Sequence, residues 1–248
     1  MANNLLLREL RQAAPLISVG VLTADLLSLG SQLELMERAG VKLLHIDVMD
    51  GCFCPMMTVG PPLVKAMKTT LLKDVHLMID EPLEKIDWFV AAGADLITVH
   101  AEFNSHPHRV LQKLGSMRNS SDPDRTILRG LAINPGTPLE VVRPLLDEVE
   151  MVFLLAINPG WGGQGFIDST SDRLTSLREM IDESGRDILI GVDGGVKRDN
   201  IGRIVRMGTD IIVTGSAVFD GKTPLENAQC MLQAVREAAD PSSAATQD

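Results

Sequence analysis

Short apolar runs rich in β-branched and aliphatic residues recur along the chain at regular intervals. Each run has the length and composition of a buried strand, so the pattern predicts eight strands. The runs begin at Leu16, Leu43, Asp74, Leu96, Ile127, Val152, Ile188 and Ile211. Between them lie segments with apolar residues at helical spacing, such as LLSLGSQLELMERAG and TPLEVVRPLLDEVE. The chain therefore alternates strand and helix eight times.

Three of the junctions between a helix and the following strand look alike. They read ERAGVKLLHID, VAAGADLITVH and VRMGTDIIVTG, each with a glycine where the helix should end. Glycine at that point allows the left-handed backbone conformation that terminates a helix. Apolar strands alternating with amphipathic helices indicate a parallel sheet covered by helices. Eight such units predict an α/β fold of the (βα)8 TIM-barrel class, with a doubly wound open sheet as the structural alternative.

Composition is consistent with one domain. The chain has 248 residues, of which 45% are hydrophobic, enough to build a full core. We expect a single barrel domain over residues 1–239 and a disordered C-terminal tail, DPSSAATQD, over residues 240–248. No apolar run approaches the roughly 18 residues of a membrane span, and the start of the chain lacks the features of a secretory signal. A cytoplasmic protein without membrane contact is expected.

Charge and cysteine content restrict the partners. The formal net charge is −10, and no cluster of lysine or arginine stands out, so we expect no nucleic-acid partner. A small-molecule partner is favoured instead. The three cysteines, Cys52, Cys54 and Cys230, are odd in number and scattered, which predicts reduced thiols rather than a disulfide framework.

Polar residues fall late in several of the predicted strands. Side chains alternate along a strand, so His45, Asp47 and Met49 share one face of the second strand. His76 lies late in the third strand, and Asp193 ends the seventh. A lone strand histidine is more often structural, and an Asp before two glycines is more often a turn-former. Four such residues at one barrel mouth nevertheless predict an N₂O₂ site for zinc, iron, manganese or cobalt.

Three glycine-bearing loops follow the last three strands. They contain INPGWGGQGF, which ends at Phe166, the DGG that starts at Asp193, and the TGS that starts at Thr214. Glycines let backbone amides approach an anion closely, and TIM barrels often bind phosphate at this point. One such loop is a weak signal, because tight turns also need glycine. All three together predict a phosphate site.

Several of these motifs resemble those of a known protein family. HIDVMDG, DVHLMI, ITVHAE, INPGTPLE, INPGWGGQGFI, VDGGV and GSAVF, in this order and spacing, resemble the ribulose-phosphate 3-epimerase family from about Ile17 to Phe219. The resemblance implies a (βα)8 barrel that epimerises a ketose phosphate at C3 with a bound divalent metal cation. It implies that the metal ligands are His45, Asp47, His76 and Asp193, and that Asp47 and Asp193 are the acid/base pair.

The resemblance also implies the substrate contacts. Besides His76, the expected substrate- and phosphate-binding residues are Gly160, Trp161, Gly162, Gly163, Gly194, Gly195, Gly215 and Ser216. Met49 and Met78 match methionines that line the family's site, although both also fit an ordinary barrel core. The family makes a homo-oligomer a reasonable expectation.

The sequence departs from the family's pattern around the sugar. Gly20 stands where a substrate-contacting serine belongs, and Trp161 stands at the usual phenylalanine. Cys52, Cys54 and Met56 replace His, Val and Asn, and Leu155 and Ala156 replace a Met-Ser pair. No expected ligand, carboxylate or phosphate-loop glycine is lost. We therefore expect D-ribulose 5-phosphate to be converted to D-xylulose 5-phosphate, with another ketose phosphate, such as a hexulose 6-phosphate, as the alternative.

Two other classes of function fit less well. A non-catalytic sugar-phosphate-binding barrel would need the phosphate loops but not two opposed carboxylates. A barrel decarboxylase would need lysines beside the carboxylates at the inner strand ends, whereas Lys197 lies beyond its strand. The sequence therefore favours an isomerase.

Overall fold

Eight parallel strands close into a barrel in the computed structural model, which describes residues 5–220 and 223–240. Each strand pairs with the next along the chain, and the eighth pairs with the first. The strands are β1 (Leu16–Gly20), β2 (Leu43–Met49), β3 (Leu72–Met78), β4 (Leu96–His100), β5 (Leu128–Ile133), β6 (Met151–Leu155), β7 (Leu189–Asp193) and β8 (Ile211–Thr214). The TIM-barrel prediction is confirmed, and the open sheet is excluded. Of the predicted tail, residues 241–248 lie outside the described residues.

Helices cover the outside of the barrel. Within the described residues they are α1 (Leu5–Ala13), α2 (Leu29–Ala39), α3 (Pro61–Ala66), α4 (Ile86–Ala91), α5 (Pro107–Gly115), α6 (Thr170–Ser184), α7 (Ile201–Arg206) and α8 (Pro224–Ala239). Gly40, Gly93 and Gly208, the glycines of the three similar junctions, all have positive φ angles of 83° to 87°. The prediction that they end helices is confirmed. No helix among the described residues is long and apolar enough to cross a membrane.

One predicted helix is wrong. The segment TPLEVVRPLLDEVE, between β5 and β6, forms two short 3₁₀ helices, Leu139–Val141 and Arg143–Glu148, and no α-helix. Pro144 lacks a backbone N–H, and in an α-helix its ring would clash with the carbonyl of the residue four positions earlier. The segment still buries Val142 and Leu145 against the barrel. Its apolar spacing therefore predicted correctly that the segment packs on the barrel, but it predicted the wrong type of helix.

The strands carry two separate apolar layers because their side chains alternate. On β2, Leu44, Ile46 and Val48 point outward into the layer beneath the helices. Leu43 points inward, where it packs with Phe153 and other lumen residues. His45, two residues further along β2, therefore also lies on the inner side, above this apolar floor.

Helix α1 packs on the lower end of the lumen core. Leu6 and Leu10 are 3% and 2% exposed and join the apolar cluster inside the barrel. Arg11, at the end of the helix, fixes it by pairing with Asp187 and Asp210 at 2.9 and 2.7 Å. The functional residues are thereby left to the carboxyl ends of the strands.

Candidate active site

The four predicted metal ligands converge at the carboxyl end of the barrel. Strand register places Asp47 of β2 directly beside His76 of β3, and His45 lies one inward position below Asp47. Asp193 approaches from the end of β7. One nitrogen or oxygen of each of the four side chains lies within 4.8 Å of the others. The structure thus brings together residues that are far apart in the sequence.

The spacing of these atoms suits a small cation. His45 Nε2 lies 3.2 Å from Asp47 Oδ1, 3.3 Å from His76 Nδ1 and 3.7 Å from Asp193 Oδ2. His76 Nδ1 lies 3.4 Å from Asp47 Oδ1 and 3.4 Å from Asp193 Oδ2. Zinc–nitrogen and zinc–oxygen bonds of about 2.1 Å in a tetrahedron give ligand separations of roughly 3.4 Å. Five of the six separations are therefore close to those of a tetrahedral site.

An unpaired oxygen supports the same interpretation. Asp47 Oδ1 is buried and accepts no hydrogen bond from the described residues, although two imidazole nitrogens lie within 3.4 Å. A buried polar atom without a partner is costly unless something outside the protein satisfies it. The donor set of two imidazoles and two carboxylates suits a divalent metal cation. The residues present therefore fit the group that the resemblance implies.

His45 is oriented by a buried carboxylate. Its Nδ1 lies 2.8 Å from Asp74 Oδ2, and Ser18 Oγ donates to the same oxygen at 2.9 Å. All three side chains are fully buried. Because a carboxylate accepts hydrogen bonds, the imidazole donates to Asp74 from Nδ1, and its Nε2 faces the cluster.

His76 is oriented through a second histidine. Its Nε2 lies 2.9 Å from Nε2 of His100, the last residue of β4. His100 Nδ1 lies 3.0 Å from Glu102 Oε2. The other oxygen of Glu102 accepts the backbone N–H of Asn134 at 2.8 Å and the hydroxyl of Thr137. The cluster of candidate metal ligands is thus connected to the loop after β5.

Charges within the cluster stabilise a proton on His45. Burial lowers the pKa of this imidazole, but the carboxylates of Asp74 and Asp47 outweigh burial and raise its pKa well above 6.5. Burial raises the pKa of Asp47, but the two imidazoles of the cluster hold it well below its usual value. Burial also lowers the pKa of His76, but the neighbouring carboxylates of Asp193 and Asp47 outweigh burial and raise it above 6.5. The metal-free cluster therefore pairs ionised carboxylate with imidazolium.

The pKa values of His100 and Glu102, the pair behind His76, are both lowered. Burial lowers the pKa of His100 to about 4, although its hydrogen bond to Glu102 acts in the opposite direction. Burial raises the pKa of Glu102, but the hydrogen bonds that it accepts, first of all from His100, lower it to about 2. At neutral pH this pair is a neutral imidazole and an ionised carboxylate.

A cavity of about 430 Å³ opens directly above the cluster. It is bounded by Asp47 and Asp193 and by the residues that the resemblance assigned to substrate, phosphate and site lining. These are Gly20, Met49, Met78, Gly160, Trp161, Gly162, Gly163, Gly194, Gly195, Gly215 and Ser216. The two histidines are fully buried behind this surface. The volume lies in the usual range for small-molecule sites.

The glycine loops adopt conformations that other residues would resist. Gly195 has a φ angle of +68°, and an added Cβ would lie 2.5 Å from Phe166 N, which belongs to the preceding glycine loop. Gln164 braces that loop by donating to the carbonyls of Asn158 and Trp161 at 2.6 and 2.7 Å. Residues of the loops after β6, β7 and β8 thereby line the same cavity.

The residues that depart from the family's pattern divide into two groups. Gly20, Met56, Leu155 and Trp161 line the cavity and can contact a substrate. The other departures are Cys52, which is exposed, and Cys54 and Ala156, which are buried outside the cavity lining. All three cysteines are free, as predicted. An added Cβ on Gly160 would lie 2.6 Å from Cys54 Cβ, so this thiol packs beneath the glycine loop.

Sequence reasoning missed the side chains that orient the ligands. Asp74 lies two residues before His76, and Ser18 lies on β1; neither was assigned a role. His100 and Glu102 belong to the ITVHAE motif and were also unassigned. Period-two alternation on β3 and β4 is the signal that could have placed Asp74 and His100 inside the barrel.

Comparison with known proteins gives consistent results. The sequence model described as "Ribulose-phosphate 3 epimerase family" matches residues 16–219. The ribulose-phosphate 3-epimerase of Bacillus subtilis is 39% identical over 206 residues, covering 82% of this chain and 91% of that protein. The ribulose-phosphate 3-epimerase of Escherichia coli K12 is 41% identical over 209 residues, covering 83% and 89%. The structure of KGPDC from Streptococcus mutans is similar in fold, with a TM-score of 0.65, 13% identity, and 92% and 100% coverage.

Proposed function

The chain belongs to the ribulose-phosphate 3-epimerase family, and we propose that it inverts C3 of a ketose phosphate by proton transfer through Asp47 and Asp193. As a family member it is an enzyme of the isomerase class, similar to carbohydrate epimerases. The proposed reaction interconverts D-ribulose 5-phosphate and D-xylulose 5-phosphate. The observation that carries this proposal is the convergence of two carboxylates, from β2 and β7, on one substrate-sized cavity.

Two carboxylates are what this chemistry requires. Inversion next to a carbonyl removes a proton from one face of carbon 3 and returns a proton to the opposite face. Strands β2 and β7 are three steps apart around the ring of eight, so Asp47 and Asp193 enter the site from different walls. Their side chains are 20% and 14% exposed, which leaves each able to reach a substrate. Each carboxylate then serves one face, as base in one direction and acid in the other.

His45, Asp47, His76 and Asp193 would hold the divalent cation. When bound, this cation supplies positive charge that stabilises the enediolate formed between the two proton transfers. The protein's own residues contribute position and exclusion of water. Met49 and Met78 present apolar surface to the cavity, and the amides of the glycine loops would bind the phosphate and so fix which carbon lies between the carboxylates.

A substrate variant is the second candidate. Gly20, Met56 and Leu155 all line the cavity, and none of the three offers a charged group or a hydroxyl to a sugar. A ketose phosphate of different length, such as a hexulose 6-phosphate, would meet the same carboxylates and the same glycine loops. The loss of one neutral hydrogen bond is worth about 0.5 to 1.5 kcal/mol, which shifts preference without abolishing turnover.

The assay should follow C3 directly. The purified protein would be supplied with Zn²⁺, Mn²⁺, Fe²⁺ or Co²⁺ and offered a panel of ketose phosphates in deuterium oxide, with incorporation at C3 measured by NMR. We expect exchange and epimerisation with D-ribulose 5-phosphate. Exchange with a hexulose 6-phosphate alone would contradict the proposed substrate but would leave the proposed proton-transfer mechanism standing. If no ketose phosphate exchanged its C3 proton, the proposed enzymatic activity would be refuted, and a non-catalytic sugar-phosphate-binding barrel would be the remaining interpretation.

A matched pair of variants tests the acid/base assignment. Asp193→Asn should lower the rate of C3 exchange by a factor of about 10² or more, since positioned proton transfer is worth about 10² to 10⁴. Glu84→Gln makes the same chemical change at an exposed carboxylate outside the cavity and should leave the rate unchanged. Full activity in Asp193→Asn, with metal retained, would rule out the two-carboxylate mechanism.

Oligomerisation and location also belong to the proposal. We propose a homo-oligomer in the cytoplasm, on the strength of the family resemblance. Light scattering of the purified protein measures the subunit count, and a monomer over the working concentration range would contradict the first part.

A further inference from the structure

We infer that His100 and Glu102 are positioning residues for the proposed metal site: together they determine which nitrogen of His76 carries its proton. They leave the Nδ1 lone pair of His76 facing the two catalytic aspartates. This inference rests on the proposed metal site, but not on the identity of the sugar. It also gives a role to the INPGTPLE motif, which the proposed reaction leaves unused.

The chain of hydrogen bonds starts at an acceptor. An ionised carboxylate can only accept hydrogen bonds, and both oxygens of Glu102 do so. Oε1 is occupied by the backbone N–H of Asn134 at 2.8 Å and by the hydroxyl of Thr137. Oε2 lies 3.0 Å from His100 Nδ1. His100 must therefore carry a proton on Nδ1.

The next step follows from the short contact between His100 and His76, whose Nε2 atoms lie 2.9 Å apart, so one proton must lie between them. An imidazole that donates from Nδ1 can present a lone pair at Nε2 and accept a hydrogen bond there. The two rings are nearly parallel, with an interplanar angle of 14°. Phe53 packs against His100 at 4.4 Å between ring centroids, and His100 is only 2% exposed. Water cannot replace the partner, so His76 donates from Nε2.

The result is a nitrogen lone pair at the cluster. His76 Nδ1 lies 3.4 Å from an oxygen of each catalytic aspartate and 3.3 Å from His45 Nε2. A proton on Nδ1 would occupy the space where a cation must approach. The opposite tautomer of His76 would therefore weaken metal binding without moving a single heavy atom.

The anchor of the relay is itself held in place. Asn134 and Thr137 lie in the loop after β5, and Arg173 of α6 donates to their carbonyl oxygens at 3.2 and 2.8 Å. His45 has a separate anchor, the directly bonded carboxylate of Asp74. The two ligand histidines are thus oriented independently, and a change at Glu102 should affect only His76.

Glu102→Gln tests the relay with almost no change in shape. The amide oxygen should stay on the fixed N–H of Asn134, so the amide nitrogen faces His100 Nδ1 and donates to it. Every proton in the relay then moves to the other nitrogen, and His76 carries its proton on Nδ1. We expect Zn²⁺ and Co²⁺ affinity, measured by chelator competition, to fall about 10- to 100-fold.

Two controls separate this effect from general damage. Thr98→Val removes a fully buried hydroxyl from the same strand as His100. This hydroxyl has no hydrogen-bond partner among the residues that the structure describes, so metal affinity should be unchanged. His100→Gln can still offer an oxygen to His76 Nε2 and should retain more affinity than His100→Leu. The midpoint of thermal unfolding of each metal-free variant reports whether the fold is intact.

The tautomer can also be read directly. Nitrogen-15 NMR of the zinc-loaded wild-type protein should show His100 protonated on Nδ1 and bare on Nε2, whether or not any variant folds. Protonation on Nε2 in the wild type, or affinity within twofold of wild type in Glu102→Gln, would overturn the relay. Zinc binding without epimerisation by the wild type would instead refute the proposed reaction and leave the relay standing.

Discussion

Zinc binding to this protein should release a proton. In the metal-free cluster His45 Nε2 lies 3.3 Å from His76 Nδ1, so two nitrogen lone pairs would face each other unless a proton lies between them. The carboxylates of Asp74 and Asp47 overcome the effect of burial and raise the pKa of His45 well above 6.5. At neutral pH this nitrogen therefore carries a proton, and a cation must displace it to bind.

The size of the effect follows from one competing proton. Below the raised pKa of His45, each unit of pH costs a factor of ten in apparent affinity, or about 1.4 kcal/mol. Moving from about pH 7.5 to about pH 6 should therefore weaken Zn²⁺ binding, by up to about tenfold for each pH unit that lies below this pKa. The direction is fixed, because lower pH adds the proton that the metal must remove.

Titration calorimetry and chelator competition measure this effect. Calorimetry in two buffers with different ionisation enthalpies should show a buffer-dependent heat equal to the release of one proton or more. In Asp74→Asn the stronger carboxylate attraction on His45 is removed, so the dependence on pH should become shallower and affinity at high pH should also fall. Equal Zn²⁺ affinity at both pH values, with no buffer-dependent heat, would refute the reasoning.

The same proton affects the stability of the metal-free protein. A group whose pKa is raised on folding stabilises the fold below its unfolded pKa, and this contribution is lost as pH rises through the folded value. The metal-free protein should therefore lose stability in alkaline solution through His45, whereas the zinc-loaded protein should not. Thermal unfolding with and without Zn²⁺ across that range measures the difference.

Three further predictions concern other parts of the molecule. Gly195→Ala places a Cβ 2.5 Å from a backbone nitrogen at a residue with a positive φ angle. This variant should lower the free energy of unfolding, measured by thermal unfolding, by about 1 to 3 kcal/mol and should raise KM. The control Gly165→Ala places its Cβ in open space and should lower the free energy of unfolding by less than about 0.5 kcal/mol. The pKa of Glu102 is lowered from 4.5 to about 2, so at pH values above its unfolded pKa this carboxylate should stabilise the fold by about 3 kcal/mol. This stabilisation should be lost as the pH falls through about 2. Glu102→Gln has no such carboxylate, so its acid unfolding should not show this loss. In Gly20→Ser the new Cβ would lie 3.5 Å from its nearest neighbour, an ordinary contact, so unfolding should be unchanged while relative kcat/KM for pentulose and hexulose phosphates shifts.

The inner face of the barrel could be predicted from the sequence because it depends on a simple rule. Alternation along a strand places His45, Asp47 and Met49 on one face whatever the neighbouring strands do. The same rule places the ligand on β3 inside the lumen. Closure of eight similar units into a ring then requires that these faces meet, so the cluster follows from local pattern plus fold class.

The orienting network could not be predicted, because it depends on strand register. Whether Asp74 reaches His45, and whether His100 reaches His76, is decided by how far each strand is shifted along its neighbour. A shift of one residue would turn these side chains outward. The anchor of Glu102 depends further on the path of the loop after β5. That loop leads into the segment where Pro144 replaces an α-helix by 3₁₀ turns, which apolar spacing alone does not reveal.

Different parts of the barrel thus determine the proposed reaction and the substrate. The proposed metal ligands lie on β2, β3 and β7, and either histidine among them could change orientation only if a buried hydrogen bond broke. Met56 and Trp161 lie on loops and are 42% and 57% exposed, so substitutions there cost little stability. Because the proposed proton transfers need only the strand-end carboxylates and a fixed phosphate, changes in the loops for another sugar would leave the proposed chemistry intact. The departures from the family's pattern that line the cavity, at Gly20, Met56, Leu155 and Trp161, therefore bear on substrate choice rather than on mechanism.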